Sequence, residues 1–337
     1  MIGYYIHHQG RGHLHRAVSI CTELHQPVTA LTSLPLPDPL CFDRVVQLPR
    51  DDDGDHFVDV SANGALHWVP LDNTGLRTRM ALIADWVARA RPAVVVTDVS
   101  VEVAVLVRLL GIPVVVLAMP GQRDDSAHEL AYRLADHIVA PWPPTMYEPT
   151  CLRLHRHKTS YVGGISRFDG RARTLSSAAP PTRVLAMFGT GGSAVDAAAL
   201  AESRDATPQA QWRCLGAPGG QWSDDPWDDL CAADVVIAHA GQGSVADIAA
   251  AGKPAIVIPQ DRPFGEQDAT ASVLAAEHLA IVTPQWPEPT RWPALIAHAQ
   301  RCDGDRWQRW QTSGAAGRAA AAIENVACRN LTCEDAR

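Results

Sequence analysis

The sequence predicts an α/β protein built from two doubly wound, Rossmann-like domains that face each other across a cleft. Its 337 residues are about twice the roughly 150 residues of a typical domain. Each half of the chain repeats a short apolar run, a turn and a segment with helical spacing, which is the pattern of βαβ units and a parallel sheet. A segment rich in Gly, Ser, Pro and Arg separates the halves, as expected of a linker between domains.

The first half carries the elements of one parallel sheet. Residues 2–6 form a short apolar run before a glycine-containing turn, which is typical of a strand that leads into a helix. The run at 93–97 is rich in valine, which favours a strand buried on both faces. Helical spacing stops at Gly111, a common helix end. We predict strands at 2–6, 28–31, 45–48, 93–97 and 113–118, with helices at 14–24, 74–90 and 101–110.

The second half starts the same pattern again. An apolar strand at 183–188 precedes a glycine-rich turn and a helix at 195–202. Further strands are predicted at 211–215, 234–238 and 254–258, further helices at 245–251 and 267–276, and an Ala-rich helical segment at 305–328. The predicted domain boundaries follow from these elements: an N-terminal domain at 1–163, a linker at 164–181, a C-terminal domain at 182–314, and a C-terminal helix and tail at 315–337.

Composition and charge exclude several classes of protein. The chain is 47% hydrophobic and 20% charged, which is typical of a globular protein with a substantial core. A net charge of −8 argues against a nucleic-acid binder, which would be basic. No apolar run approaches the roughly 18–20 residues of a membrane span, and the first residues lack the features of a signal peptide, so we expect a cytoplasmic protein. The eight cysteines form no C-x-x-C pair, so we expect reduced thiols and no zinc site.

A glycine-containing loop after the first strand places a candidate catalytic histidine. Gly10 and Gly12 precede His13, but His15 stands where a dinucleotide fingerprint needs its third glycine, which disfavours NAD binding. His13 falls on the first turn of a predicted helix, where the helix dipole favours the neutral imidazole that a base needs. Asp98 ends another predicted strand and is positioned to orient the ring. A turn glycine or a lone histidine also fits a purely structural role.

A second glycine-rich loop follows the first strand of the C-terminal half. Small residues let backbone N–H groups and a helix N-terminus approach a phosphate closely. The loop is not a Walker motif, because Gly252-Lys253 is followed by proline and no complete motif occurs elsewhere, so ATP hydrolysis is not expected. By itself the loop also fits an ordinary helix-start turn. Its candidate phosphate-binding residues are Gly189, Thr190, Gly191, Gly192 and Ser193.

The most informative segment spans residues 238–267. His239, Gly241, Gly243 and Ser244 occupy a predicted strand-to-helix turn, where an anion is stabilised by the helix N-terminus. Asp247 follows on the first turn of that helix, where its carboxylate can accept hydrogen bonds from a ribose diol. After the next strand, Glu266 and Gln267 place a carboxylate beside an amide, a pair suited to sugar hydroxyls.

In its order and spacing, this segment resembles the donor-binding motif of GT-B glycosyltransferases, of the family 28 C-terminal and UDP-glycosyltransferase types. The resemblance implies a GT-B fold in which the turn at His239 holds the diphosphate, Asp247 the ribose, and Glu266 with Gln267 the donor sugar. Two departures stand out: Asp247 replaces the usual Glu, and Gln242-Gly243 replaces the Trp-Asn of the plant enzymes.

The resemblance extends to the first half. Gly12-His13 is similar to the family's Gly-His loop, and Asp98 to the acid that partners this histidine in plant enzymes. Trp222 aligns loosely with an aromatic residue beside the nucleobase, although the presence of ten tryptophans favours a core or surface role. The family's properties imply that the N-terminal domain binds the acceptor and that the C-terminal domain binds the nucleotide sugar.

The resemblance therefore implies an inverting, metal-independent enzyme that moves a hexose-type sugar from a nucleotide sugar, UDP-linked by expectation, to an acceptor hydroxyl, without a cofactor. The acceptor would be a small molecule or lipid-linked. Two alternatives remain at this stage: a nucleotide-sugar-binding subunit without its own activity, and an epimerase or hydrolase of the same fold.

Two charged runs receive structural interpretations. The acidic run at 51–55 contains D-x-D, which we interpret as a solvated loop rather than a metal site. A basic cluster at 153–158 is compatible with weak peripheral contact with the inner face of a membrane, although a solvated face is the more common explanation.

Overall fold

The computed structural model describes residues 1–36, 41–54, 56–174, 181–189, 191–216 and 220–334, with side chains through residue 329. Two sheets, each entirely parallel in its pairing, form the centres of two domains. Helices cover the faces of both sheets, which is the doubly wound arrangement expected from the βαβ repeats.

The N-terminal sheet has seven strands in the order β3-β2-β1-β4-β5-β6-β7. Its chain order reverses between β1 and β4, and the register there sets Ile6 opposite Asp98. Ligands in open parallel sheets bind beyond the carboxyl ends of the strands at such a reversal. The strands are β1 (Ile2–Ile6), β2 (Val28–Thr32), β3 (Arg44–Gln47), β4 (Val94–Asp98), β5 (Val114–Leu117), β6 (His137–Ala140) and β7 (Thr159–Tyr161).

Side-chain caps fix where several helices of this domain begin. Asn73 accepts a hydrogen bond from the Leu76 amide at 2.7 Å, and Ser100 accepts one from the Val103 amide at 3.2 Å. Such caps satisfy amides that have no partner within the helix. The helices are α1 (Gly12–Thr22), α2 (Thr74–Ala90), α3 (Val101–Leu109), α4 (Ser126–Leu134) and the short α5 (Thr150–Arg153).

The C-terminal sheet has five strands in the order β12-β11-β10-β8-β9, with its reversal between β8 and β10. The strands are β8 (Thr182–Met187), β9 (Ala210–Leu215), β10 (Val235–Ala238), β11 (Ala255–Val257) and β12 (Ile281–Val282). The helices are α6 (Ala197–Asp205), α7 (Trp227–Ala232), α8 (Gln242–Ala251), α9 (Glu266–Ala276) and α10 (Trp292–Ala299).

The last helix, α11 (Ala315–Glu334), packs against the N-terminal domain rather than the domain that precedes it. Its small buried residues Ala315 and Ala319 share a core with Ile2 and Tyr4 of β1. Alanine lets the helix approach the sheet closely while still burying apolar surface. The chain therefore crosses twice between the domains. None of the described helices is long and apolar enough to cross a membrane.

Most predicted elements are present, with shifted ends. Helix α8 begins at residue 242 instead of 245, and α1 covers 12–22 instead of 14–24. The segment predicted as one helix at 305–328 is a 3₁₀ helix at Gly304–Trp310 followed by α11. Seven short helices and strands were not predicted, because segments of two to nine residues carry little periodic signal. They are α4, α5, β6, β7, α7, β12 and α10.

Candidate active site

The reversal points of both sheets open into one cavity of about 1100 Å³ between the domains. Its lining includes the turn after β1, the residues that follow β4, the loop after β8 and the first turn of α8. The candidate residues that line it are His13, Gly10, Gly12, Gly189, Gly191, Gly192, Trp222, His239, Gly241, Gly243, Ser244, Asp247, Glu266 and Gln267. Thr190 lies outside the described residues.

His13 and Asp98 meet as the sequence predicts. His13 Nδ1 lies 3.0 Å from Asp98 Oδ1, because β1 and β4 are neighbours and the two residues follow or end these strands. The Asp98 side chain is fully buried, while the His13 ring is 15% exposed and lines the cavity. The next residue, Val99, has a φ of 64°. A β-branched residue in this region is strained, and such strain commonly accompanies functional sites.

Arg16 is a third member of this group, and the sequence reasoning missed it. Its Nε and Nη2 donate to the two oxygens of Asp98 at 3.1 and 2.6 Å. Burial raises the pKa of the Asp98 carboxyl, but Arg16 and His13 outweigh burial and hold that pKa well below its usual range. The signal was available, since His13 and Arg16 lie one helical turn apart and therefore on one face of α1.

The ionised Asp98 fixes the state of the His13 ring. A carboxylate only accepts hydrogen bonds, so the 3.0 Å contact is a hydrogen bond only when Nδ1 carries the proton. Nε2 then keeps its lone pair, as a base requires. Arg16 Nη2 also lies 3.1 Å from Nδ1, but a guanidinium only donates and competes with Asp98 for that nitrogen.

Arg16 also joins the two domains. Its Nη1 donates to Gln242 Oε1 at 2.7 Å, and Gln242 is the first residue of α8. Gly243 and Ser244 follow within the first turn of that helix and line the cavity. The free amides and the positive end of the helix dipole make such a turn a site for anions. One arginine thus connects the candidate base to the candidate diphosphate site.

His239 lies beside the glycine-rich loop after β8. Its Nδ1 contacts the Ile258 carbonyl oxygen at 2.9 Å, and its Nε2 lies 3.0 Å from Ser193 Oγ. Burial lowers the pKa of His239, which favours the neutral ring. Since a carbonyl only accepts, Nδ1 carries the proton and Nε2 accepts from Ser193. The prediction of His239 as a hydrogen-bond donor to an anion therefore requires that the ring gain a proton.

Arg262 is a second cation that the sequence reasoning did not select. Its guanidinium donates to the carbonyl oxygens of Gly191 and Gly192 and lines the cavity. It adds positive charge to a loop that was chosen for its small residues alone.

Asp247 is buried and held by the linker between the domains. Ser166 Oγ donates to its Oδ1 at 2.8 Å, and Arg167 Nε donates to its Oδ2 at 3.1 Å. Burial raises the pKa of Asp247 to about 6, although Arg167 opposes the shift. A carboxylate offers about four lone pairs, so Asp247 keeps acceptor capacity for ligand hydroxyls in the cavity.

Glu266 and Gln267 begin α9 and have different environments. Gln267 Oε1 accepts from the amides of Ala240 and Gln260 at 3.1 and 3.0 Å, so this carbonyl ties two loops together. The Gln267 amide nitrogen is the group that remains to donate to a ligand. Glu266 Oε2 lies 3.8 Å from Arg123 Nη2, which belongs to the N-terminal domain.

Trp222 is 45% exposed and lies at the edge of the cavity. Its indole N–H donates to Asp224 at 2.8 Å, and the Arg11 guanidinium lies 5.4 Å from the ring centroid. Arg11 also donates to Asp224 at 2.6 Å. Arg11 belongs to the glycine loop of the N-terminal domain, so this group is a further contact between the domains.

The two charged runs behave differently from the sequence interpretation. Asp51 is buried rather than solvated, because Arg79 Nη1 donates to it at 2.7 Å, whereas Asp53 is exposed. Residue 55 of this run lies outside the described residues. In the basic cluster, Lys158 donates to backbone carbonyls at the end of α4, and Arg156 pairs with Glu148 at 3.1 Å. These contacts explain part of that cluster without a membrane.

Comparison with known proteins agrees with this geometry. Residues 221–300 match the model of the glycosyltransferase family 28 C-terminal domain, a range that contains β10, α8, β11 and α9. No curated protein matches the sequence. UGT89C1 of Arabidopsis thaliana, solved with UDP, shares 13% identity over 98% of this chain and 99% of its own, with a TM-score of 0.68.

Two further solved structures show the same similarity. MurG of Acinetobacter baumannii shares 16% identity over 96% of this chain and 99% of its own, with a TM-score of 0.62. The spinosyn rhamnosyltransferase SpnG, solved with thymidine diphosphate, shares 18% identity over 99% and 100%, with a TM-score of 0.58. The chain therefore has the GT-B fold of glycosyltransferases, and the predicted fold and resemblance are confirmed. The fold and the matched domain also support the prediction of a glycosyltransferase.

Proposed function

We propose that this protein transfers a hexose-type sugar from a nucleotide sugar, with UDP as the nucleotide, to an acceptor hydroxyl with inversion and without a metal. One observation carries the proposal. A single cavity holds a His–Asp pair on the N-terminal side and an anion-binding helix start on the C-terminal side. The N-terminal half would hold the acceptor, and the C-terminal half the donor.

In the proposed reaction, His13 Nε2 takes the proton of the acceptor hydroxyl. The acceptor oxygen bonds to the anomeric carbon while the bond from that carbon to the diphosphate oxygen breaks, and the bonding pair leaves with the diphosphate. Asp98 stabilises the imidazolium that forms, and its ionised state, secured by Arg16, is the one this role needs. Because base and leaving group face each other across the cavity, attack opposite the leaving group inverts the anomeric centre.

The C-terminal side would stabilise the leaving diphosphate. The amides of Gly243 and Ser244 and the dipole of α8 point positive charge into the cavity, and Arg262 adds a cation beside the loop after β8. These groups supply the charge that a divalent cation would otherwise provide, which supports the metal-independent form of the proposal. Asp247 would accept from the ribose hydroxyls, Trp222 would contact the base, and Glu266 and Gln267 would contact the sugar.

The choice of UDP is supported by the plant neighbour solved with UDP. The neighbour solved with thymidine diphosphate makes that nucleotide the competing ligand to test. For the acceptor, the plant neighbour has also been solved with quercetin, which supports a small molecule over a lipid-linked one. Peripheral membrane contact stays a prediction. The evidence for it is weakened because Lys158 and Arg156 already have partners within the protein.

Calorimetry of UDP and thymidine diphosphate in EDTA tests donor binding. We expect UDP to bind in the micromolar range, and Asp247→Ala to weaken it. A second assay incubates UDP-sugars with an acceptor library and follows UDP release, free sugar and glycosylated product. Product without free sugar supports a transferase, whereas free sugar or an isomer without acceptor identifies the hydrolase or epimerase alternative. UDP binding without any turnover supports the binding-subunit alternative.

The base assignment has its own variant. His13→Ala should reduce transfer by about 10²–10⁴ while UDP still binds. His56→Ala is the matched control, because His56 is exposed and lies outside the cavity lining. Full turnover by His13→Ala would show that another group removes the proton.

A further inference from the structure

A second His–Asp pair lies on the N-terminal side of the cavity. His67 Nε2 is 2.9 Å from Asp125 Oδ1, and His128 Nδ1 is 2.5 Å from Asp125 Oδ2. Arg123 Nη1 donates to His128 Nε2 at 2.8 Å. We call these four residues the acceptor-side network. His67, His128 and Arg123 line the same cavity as His13.

The hydrogen bonds assign a proton to each ring. Arg123 only donates, so His128 Nε2 must accept, and His128 Nδ1 then carries the proton that it donates to Asp125. Burial lowers the pKa of His128 to about 4, in agreement with a neutral ring. The Asp125 carboxylate also accepts a hydrogen bond from His67, so His67 Nε2 carries a proton as well. In the neutral His67 ring, Nδ1 is therefore an acceptor, and it has no hydrogen-bond partner among the described residues.

Contacts from both domains hold the backbone and the ring of His67. Its amide and that of Trp68 donate to Glu102 Oε1 at 2.8 and 3.0 Å, which anchors the loop to the start of α3. Its ring lies 4.3 Å from that of His128 and 5.2 Å from that of Phe264, a residue of the C-terminal domain. Phe264 has a φ of 63°, a strained conformation that places its ring here. A preorganised acceptor atom among aromatic rings is typical of a ligand subsite.

Two histidines and one aspartate close together, His67, His128 and Asp125, could also bind a metal ion. The hydrogen bond from Arg123 argues against it, because His128 Nδ1 bears a proton and cannot also coordinate a cation. The Arg123 guanidinium also adds positive charge next to the cluster. A hydroxyl group fits better, since it donates to Nδ1 of His67 and requires no change of protonation.

We propose that His67 is an acceptor-binding residue that receives a hydrogen bond from a second hydroxyl of a ring-shaped acceptor, one beyond the hydroxyl that is glycosylated. This inference rests on the proposed function. It assigns the acceptor to hydroxylated rings, phenolic or saccharide, that carry at least two hydroxyls. Phe264 and Trp68 line the same cavity, and the partly exposed ring of Phe264 lies next to that of His67, which favours a ring-shaped ligand.

The test compares matched acceptors with the nucleotide sugar that the wild type turns over. One pair is 6,7-dihydroxycoumarin and 7-hydroxycoumarin, and another is methyl glucoside and its monodeoxy analogues, so that phenolic and saccharide rings are distinguished. The variants are His67→Phe, which keeps an aromatic ring against Phe264, and His56→Phe as the matched exposed control. UDP binding by calorimetry accompanies each assay.

We expect the wild type to prefer a dihydroxy ring by roughly three- to tenfold in KM, the worth of one neutral hydrogen bond. His67→Phe should abolish this preference and leave UDP binding unchanged, while His56→Phe should retain the preference. The inference is overturned if the preference for a dihydroxy ring survives in His67→Phe. It is also overturned if the wild type shows no such preference, which includes a wild type that transfers to no dihydroxy ring. Stoichiometric zinc binding that His67→Phe removes would also overturn it in favour of a metal site. Absence of both UDP binding and transfer would instead defeat the proposed function.

Discussion

Replacement of Arg16 by methionine tests the buried group on which the site is built. Arg16 donates to both oxygens of Asp98, at 2.6 and 3.1 Å, so the variant leaves the carboxylate fully buried with the His13 ring as its remaining side-chain partner. Removal of one partner from a buried ion pair costs about 3–5 kcal/mol. With an unfolding entropy of about 2.1 cal/mol/K per residue, 337 residues give roughly 0.7 kcal/mol/K, so we expect the melting temperature to fall by roughly 4–7 °C.

The pH dependence gives this prediction a sign. In the wild type the pKa of Asp98 is depressed, so its stabilising contribution is present above the pKa of the unfolded chain, about 3.8, and is lost as pH falls further. Without Arg16, only His13 opposes burial, so we expect burial to dominate and to raise the pKa of Asp98 above that value. The difference in stability between wild type and Arg16→Met should therefore be largest near pH 7 and shrink as pH falls toward 4.

The assay is thermal unfolding followed by circular dichroism from pH 4 to 7.5. Arg77→Met is the matched control, since Arg77 is 68% exposed and pairs with Asp72 at 3.4 Å. Exposed pairs contribute about 0–1 kcal/mol, so this control should shift the melting temperature by less than about 1.5 °C. The double variant Arg16→Met/Asp98→Asn, which removes both charges, should recover part of the loss. An Arg16→Met shift equal to that of Arg77→Met at pH 7 would refute the reasoning.

Three further predictions concern the donor side and the contact between domains. At pH 8, UDP binding should be coupled to proton uptake in the wild type but not in His239→Ala, because the neutral His239 ring must gain a proton before Nε2 can donate to a phosphate. Calorimetry in two buffers of different ionisation enthalpy measures the proton uptake. Equal uptake by the two proteins would contradict the prediction. The pKa of Asp247 is raised to about 6, so its contribution to stability is present at low pH and lost as pH rises through 6. The melting temperature of Asp247→Asn relative to that of the wild type should therefore rise between pH 5 and 7.5. A difference that stays constant over this range would be evidence against the prediction. Gly121→Ala should lower the melting temperature more than Gly111→Ala, because a Cβ at 121 would lie 2.3 Å from the Phe264 carbonyl oxygen and one at 111 meets no atom within 4 Å; equal shifts would show that positive φ alone matters.

Much of the fold and several site residues could be predicted from the sequence, because parallel α/β domains have recognisable local sequence patterns. Buried parallel strands appear as valine-rich runs, helices as a 3.6-residue period, and the loops between them as glycine clusters. Since ligands bind beyond the carboxyl ends of such strands, His13 and Asp98 could be selected before their distance was known. The short elements α4 and β6 were missed because four to nine residues carry too little pattern to be distinguished from a loop.

The remaining features depend on contacts between residues far apart in the chain. Arg16 contacts Asp98, 82 residues away, and Gln242, 226 residues away, whereas the local sequence shows only that Arg16 shares a face of α1 with His13. The burial of Asp51 and the association of His67 with Asp125 arise in the same way, from separate segments that pack together. By itself the sequence determined the fold class, the two glycine loops and the types of residue beside them, since these follow from local periodicity and turn chemistry. The tertiary structure decided which charges are paired, buried or protonated, because those properties depend on neighbours that only folding brings within hydrogen-bond distance.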